Sequence, residues 1–186
     1  MKAQADRETS KSDEGDAVQA PQKVMRRRII REKVVQALYA YELSGDTLDH
    51  VIRTILPPLE DHKPAHEFAK RLVAKTIEHR VDFDRIIRGK LNNWDVKRVA
   101  LLDRIILRMG ICELMYFKEI PPKVSMNEAI ELAKLFSTQR SGKFVNGVLD
   151  SVLNDIRRAG ALAKTGRGLD EGHPQYKWRR ATAKKP

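Results

Sequence analysis

The chain has 186 residues with 41% hydrophobic and 33% charged side chains, and 36 Lys and Arg against 25 Asp and Glu give a net charge of +11. The one cysteine, Cys112, excludes an internal disulfide and a four-thiolate zinc site, and no apolar run approaches the roughly 20 residues that span a bilayer. Such an excess of positive charge repels itself unless a polyanion neutralises it, so nucleic acid is the first candidate partner and an anionic membrane surface the second.

Residues 1–23 are polar, mixed in charge and poor in large apolar side chains, so a disordered tail is expected. The opening MKAQADRETSKSDEGD has no apolar core and does not read as a secretory signal, which with the lone cysteine suits a cytoplasmic protein. A body of about 24–159 follows, and residues 160–186, rich in Gly, Pro and basic residues, read as a flexible basic tail. Nothing in the body alternates apolar and polar residues between turn signals, so an all-α fold of about seven helices is expected.

The first helix is expected from Arg26 to Leu43, with Ile30, Val34, Ala37, Leu38 and Tyr41 on one face and Gly45 as its stop. A short helix over Asp46–Leu56 ends at Pro57-Pro58, because proline lacks an amide donor and restricts the residue before it. A third helix begins near Pro64 and carries Phe68, Leu72, Val73 and Ile77, and a shorter one covers Phe83–Leu91. The stretch Val96–Phe117, in one segment or two, is apolar on nearly every side, as a central helix must be. After Ile120-Pro121-Pro122 a sixth helix is expected to start at Ser125, with Ser125 and Glu128 forming a capping box. The last starts near Ser141, carries Phe144, Val145, Val148, Leu149, Val152 and Ile156, and frays near Arg158.

Three features could carry function. Arg26, Arg27, Arg28, Arg31 and Lys33 crowd the start of the first helix. Cations there oppose the helix dipole, which hints at an external anion, and arginine forks pair well with phosphate. A merely solvated charged face would give the same pattern. Lys143 and Phe144 at the start of the last helix could offer phosphate pairing and a stacking face together, although an aromatic in a helix is more often core. Gly147, a weak helix former there, is expected to permit a close helix approach. The tail with Tyr176, Trp178, Arg179, Arg180, Lys184 and Lys185 could add nonspecific phosphate contacts or serve only for solubility.

Nothing converges on catalysis. His62 and His66 are split by Pro64, so no metal site is expected. Asp82 and Asp84 are expected to be solvated or capping, and Cys112 to be an inert core thiol. There is no glycine-rich phosphate loop, GxSxG or HExxH. No cofactor is implied and no enzyme is expected.

Three blocks resemble the NusB family of bacterial transcription antitermination factors: RRRIIREKVVQALYAYELS at 26–44, DRIILRMGICELMYFKEIPPKVSMNEAIELAKLFS at 103–137 and SGKFVNGVLDSVL at 141–153. The resemblance covers about 24–158 and is weakest over 46–95. It implies a bundle in two small helical halves that binds the boxA element of ribosomal RNA leader transcripts together with the ribosomal protein NusE. Other Nus factors would link it to the RNA polymerase elongation complex, and a homodimer is left open. By position, Arg27, Arg28 and Arg31 match the family's arginine-rich RNA-binding segment, and Lys143 and Phe144 match its SxKF segment. Tyr39 and Glu113 match a protein–protein face. Arg140 stands where the family often has an acidic residue, adding charge beside the implied RNA face. A pure protein-interaction module would explain the helices but not the charge. The enzyme reading, drawn from NusB-like domains fused to RNA methyltransferases, is disfavoured because no such domain follows the body.

Overall fold

The computed structural model describes residues 19–56, 63–91 and 98–162, with side chains from Arg27 onward. The Arg26 side chain, Pro57-Pro58, His62 and most of both expected tails lie outside the described residues. The described residues form seven α-helices and no strand: α1 Gln19–Ser44, α2 Leu48–Ile55, α3 Lys63–Glu78, α4 Arg80–Arg88, α5 Leu101–Tyr116, α6 Pro122–Phe136 and α7 Gln139–Arg158.

Most boundaries follow local chemistry. α1 ends where Gly45 takes a φ of 70°, a left-handed turn that costs glycine little. Thr47 caps α2 by accepting the His50 amide at 3.3 Å. Two expectations are corrected. α1 begins at Gln19, ahead of the expected start at Arg26; Pro21 is tolerated there because first-turn amides have no partner within the helix. α6 begins at Pro122, with Pro121 as its cap, so Ser125 and Glu128 lie inside the helix and are buried. The capping box is absent because proline, whose fixed φ suits a first helical position, starts the helix earlier.

α5 is the axis of the bundle and packs against α1, α3, α4, α6 and α7. Every residue from Ile105 to Leu114 is buried, as its all-round apolar pattern requires. α1–α3 form one half and α6–α7 close the other side of α5. Gly110 lets α5 seat against both: a Cβ there would lie 3.0 Å from Leu149 Cδ1 and 3.4 Å from the Ala129 Cβ. Burying each large aliphatic side chain of this core contributes about 1.5–3 kcal/mol.

Two ionic clusters tie helices to α5. Arg108 of α5 donates to Asp84 of α4 at 2.7 and 2.6 Å and also pairs with Glu42 of α1. Asp84 is therefore a structural anchor and not simply solvated, whereas exposed Asp82 pairs with Arg85 at 2.8 Å. The second cluster centres on Arg31.

Candidate nucleic-acid interface

The basic segment within α1 divides by helical geometry. Arg27 and Arg28 are exposed, but the next turn brings Arg31 onto the inner face with Ile30, Val34 and Val35. Arg31 is 1% exposed. Its guanidinium donates to both carboxylate oxygens of Glu113, at 2.6 and 3.0 Å, and lies over the Phe68 ring at 5.4 Å. Glu113 is also 1% exposed. Two expectations are corrected here: Arg31 does not stand on the phosphate-receiving surface, and Glu113 does not present itself to a partner. Each satisfies the other's charge, because an unpaired ion at that depth would be prohibitively costly. Glu128 of α6 extends the cluster, 4.0 Å from Arg31 and 3.6 Å from the half-exposed Arg28. Tyr39, on the outer face of the same helix, is 38% exposed, with Leu43 one turn further also exposed.

The start of α7 is built from hydroxyls. Thr138 caps it by accepting the Ser141 amide at 3.0 Å, and the buried Ser141 hydroxyl donates to Asp103 Oδ2 at 3.0 Å, tying α7 to the first turn of α5. One face of α7 then buries Val145, Val148, Leu149 and Val152. Lys143 falls on the opposite face and is exposed, while Phe144 falls on the border, half-buried against the core. Its side chain is thus both packing and surface.

Beside this pair lies an open cleft of about 670 Å³, bounded by Lys90, Leu91, Arg98, Asp103, Lys143, Phe144 and Gly147. Lys90 is tethered to Asp155 of α7, and Arg98 is exposed. Gly147 corrects another expectation: it is exposed, and a Cβ there would meet nothing within 4 Å. The close helix approach occurs instead at Gly142, where a Cβ would lie 2.9 Å from Lys134 Cγ of α6. Sequence reading missed Lys90, Arg98 and Lys134, which lie in three separate segments of the chain. Arg140, noted as a departure, is exposed at the α7 start.

The two basic groups border the same helix. Arg28 sits against Glu128 of α6, and Lys134 near the end of that helix carries its side chain across Gly142 of α7. Glu131 lies between them on α6 and pairs with Lys134 at 2.7 Å. Burial pushes the Cys112 thiol up to about 12, despite a hydrogen bond with Thr76. Among the described residues no group of three or more His, Cys, Asp and Glu is placed to hold a metal ion, and no helix is long and apolar enough to cross a membrane.

Residues 28–154 match the model of the NusB family. The transcription antitermination protein NusB of Salinibacter ruber is 45% identical over 144 residues, covering 77% of this chain and 90% of that one. Its counterpart in Bacillus velezensis is 42% identical over 136 residues, covering 71% and 98%. Among solved structures, T. maritima NusB superposes with a TM-score of 0.64 at 36% identity, over 69% of this chain and 91% of that one. A structure of the antitermination factors NusB and NusE in complex with dsRNA superposes with a TM-score of 0.62 at 28% identity, over 70% and 98%. This chain, whose described helices pack around a buried α5, belongs to the NusB family.

Proposed function

We propose that this chain is a transcription antitermination factor that binds boxA-type RNA of ribosomal RNA leader transcripts together with the ribosomal protein NusE. Through other Nus factors it acts on the RNA polymerase elongation complex and supports ribosomal RNA synthesis and maturation. The observation that carries this reading is the exposure of Arg27 and Arg28, with Arg28 3.6 Å from Glu128 of α6, and of Lys143 beside half-buried Phe144 on the wall of the open cleft. Arg26 directly precedes Arg27 in sequence.

Phosphate pairing by the cations supplies affinity and steers association, and sequence choice comes from unstacked bases. The cleft is open enough for a splayed base, with the Phe144 ring on its wall and Lys90, Arg98 and Lys143 on its rim. Arg31 and Glu113 serve this surface indirectly, by fixing α1 against α5. Tyr39 and neighbouring Leu43 are the surface offered to the protein partner.

The test is an anisotropy titration of a boxA-like single strand and a scrambled strand, with and without NusE, at several salt concentrations. The expected result is preference for boxA, tightening by NusE and a steep loss of affinity with salt. Equal, weak binding to both strands under all conditions overturns the proposal.

A further inference from the structure

We infer that Lys134 of α6 is a further phosphate-binding residue, joining the α1 arginines to Lys143, and that Glu131 is its built-in competitor, which RNA must displace. The inference rests on the RNA-binding reading above and adds to it a residue pair that lies in neither basic segment.

Three observations meet on this pair. The first is position. Lys134 and Glu131 stand one turn apart on the α6 face between the two exposed basic groups. Any strand that touches both groups must pass over this face, where a cation is favourable and a carboxylate is not.

The second is the shape of the neighbouring helix. Gly142 leaves room for the Lys134 stem against the α7 backbone; a Cβ would stand 2.9 Å from its Cγ, 3.1 Å from its Cε and 3.5 Å from Ile130 O. The lysine therefore lies against the start of α7 at Gly142, the residue that precedes Lys143 in the chain. Its charge adds to the partial positive charge of the α7 N-terminus, where one more cation is unfavourable without an anion.

The third is that the cation is held by a replaceable partner. Lys134 Nζ donates to Glu131 Oε1 at 2.7 Å, and both side chains are partly exposed. That hydrogen bond, with the Lys134 charge and the nearby charge of Arg28, keeps the Glu131 carboxyl below the usual carboxylate range. Glu131 is thus ionised at neutral pH, flanked by Arg28 and Lys134. A part-exposed pair of this kind is weak enough for a phosphate to take its place. The carboxylate left behind repels the incoming backbone, so it lowers affinity for any strand that gains nothing elsewhere. Glu131 acts as a discriminator and Lys134 as a contact.

The test compares wild type, Lys134→Gln, Glu131→Gln and Gly142→Ala by salt-titrated anisotropy with the boxA-like and scrambled strands, with circular dichroism and urea melts for each variant. Lys134→Gln should weaken boxA-like binding about fivefold, and its salt slope should become shallower by about 0.7, the loss of one phosphate contact on a single strand. Glu131→Gln should tighten binding to both strands and narrow the difference between them. Gly142→Ala should weaken binding by displacing the lysine while the helical signal stays intact. Wild-type binding with an unchanged slope in Lys134→Gln, or weaker binding in Glu131→Gln, overturns this inference and leaves the RNA-binding reading in place. Failure of the wild type to bind either strand overturns both.

Discussion

The basic segment inside α1, from Arg27 to Arg31, and the basic start of α7 are used differently by the fold. In α1 the charge is split: Arg28 faces outward while Arg31, one turn on, is swallowed by the core and locked to Glu113. In α7 the charge stays outside, and it is the aromatic neighbour, Phe144, that is drawn halfway in. A run of like residues therefore does not share a role. Each side chain takes the role of the helical face on which it falls, and a charge that falls on the inner face is kept only where a partner waits for it.

The contrast is most sharply broken or sustained at Arg31. Arg31→Ala removes the two-pronged partner of buried Glu113, so a urea melt should show a loss of about 3–5 kcal/mol, whereas Arg28→Ala should stay within about 0.5 kcal/mol of wild type. Replacing both partners, Arg31→Met with Glu113→Leu, should restore much of the loss, because two well-packed apolar groups can substitute for a buried pair. An Arg31→Ala protein with unchanged stability and lost RNA binding would reverse the roles given to the two arginines.

Phe144 comes next, because it belongs to both worlds. Phe144→Ala should cost about 1–2 kcal/mol of stability, below the ~3–5 kcal/mol of a fully buried phenylalanine. It should also weaken RNA binding about tenfold through lost stacking. Loss of the folded state would make Phe144 core alone. Lys143→Ala should leave the melt within about 0.5 kcal/mol and lower RNA affinity about fivefold with a shallower salt dependence. Equal RNA binding at every salt concentration would remove Lys143 from the surface.

The smallest effect at neutral pH concerns Cys112, beside Glu113 on α5. Burial, reinforced by the Glu113 charge, holds its thiol at about 12, against an ordinary value of 9.0. Below pH 9 both folded and unfolded chains keep the proton and its contribution to stability is fully present. Between pH 9 and 12 the unfolded chain releases the proton first, so stability should fall as pH rises. At pH 8, native-state alkylation should run only as fast as the protein opens. Rapid labelling of the folded protein would show that the α5 wall behind Arg31 is not closed.

Much of this was legible without coordinates. The periodic apolar positions of α1, α3 and α7, the all-round apolar α5 and the stop at Gly45 are local properties of the chain, and each helix lies near its expected place. The start of α6 was misjudged because two local signals competed. Pro122 and the Ser125–Glu128 pattern both mark helix starts, and the buried positions of Ser125 and Glu128 show which one the packed helix uses. The exposed positions of Lys143 and Tyr39 were likewise readable from their distance to the apolar stripe.

The sequence by itself determined the helical character, the buried axis, the excess positive charge and the family, because these depend on periodicity, composition and blocks of neighbouring residues. Only the tertiary structure decided which charges are ions in the core and which face solvent. Arg31 and Glu113 are 82 residues apart, and Lys134 meets Gly142 only because α6 and α7 cross. Pairings across helices depend on how faces pack, and no local pattern records them.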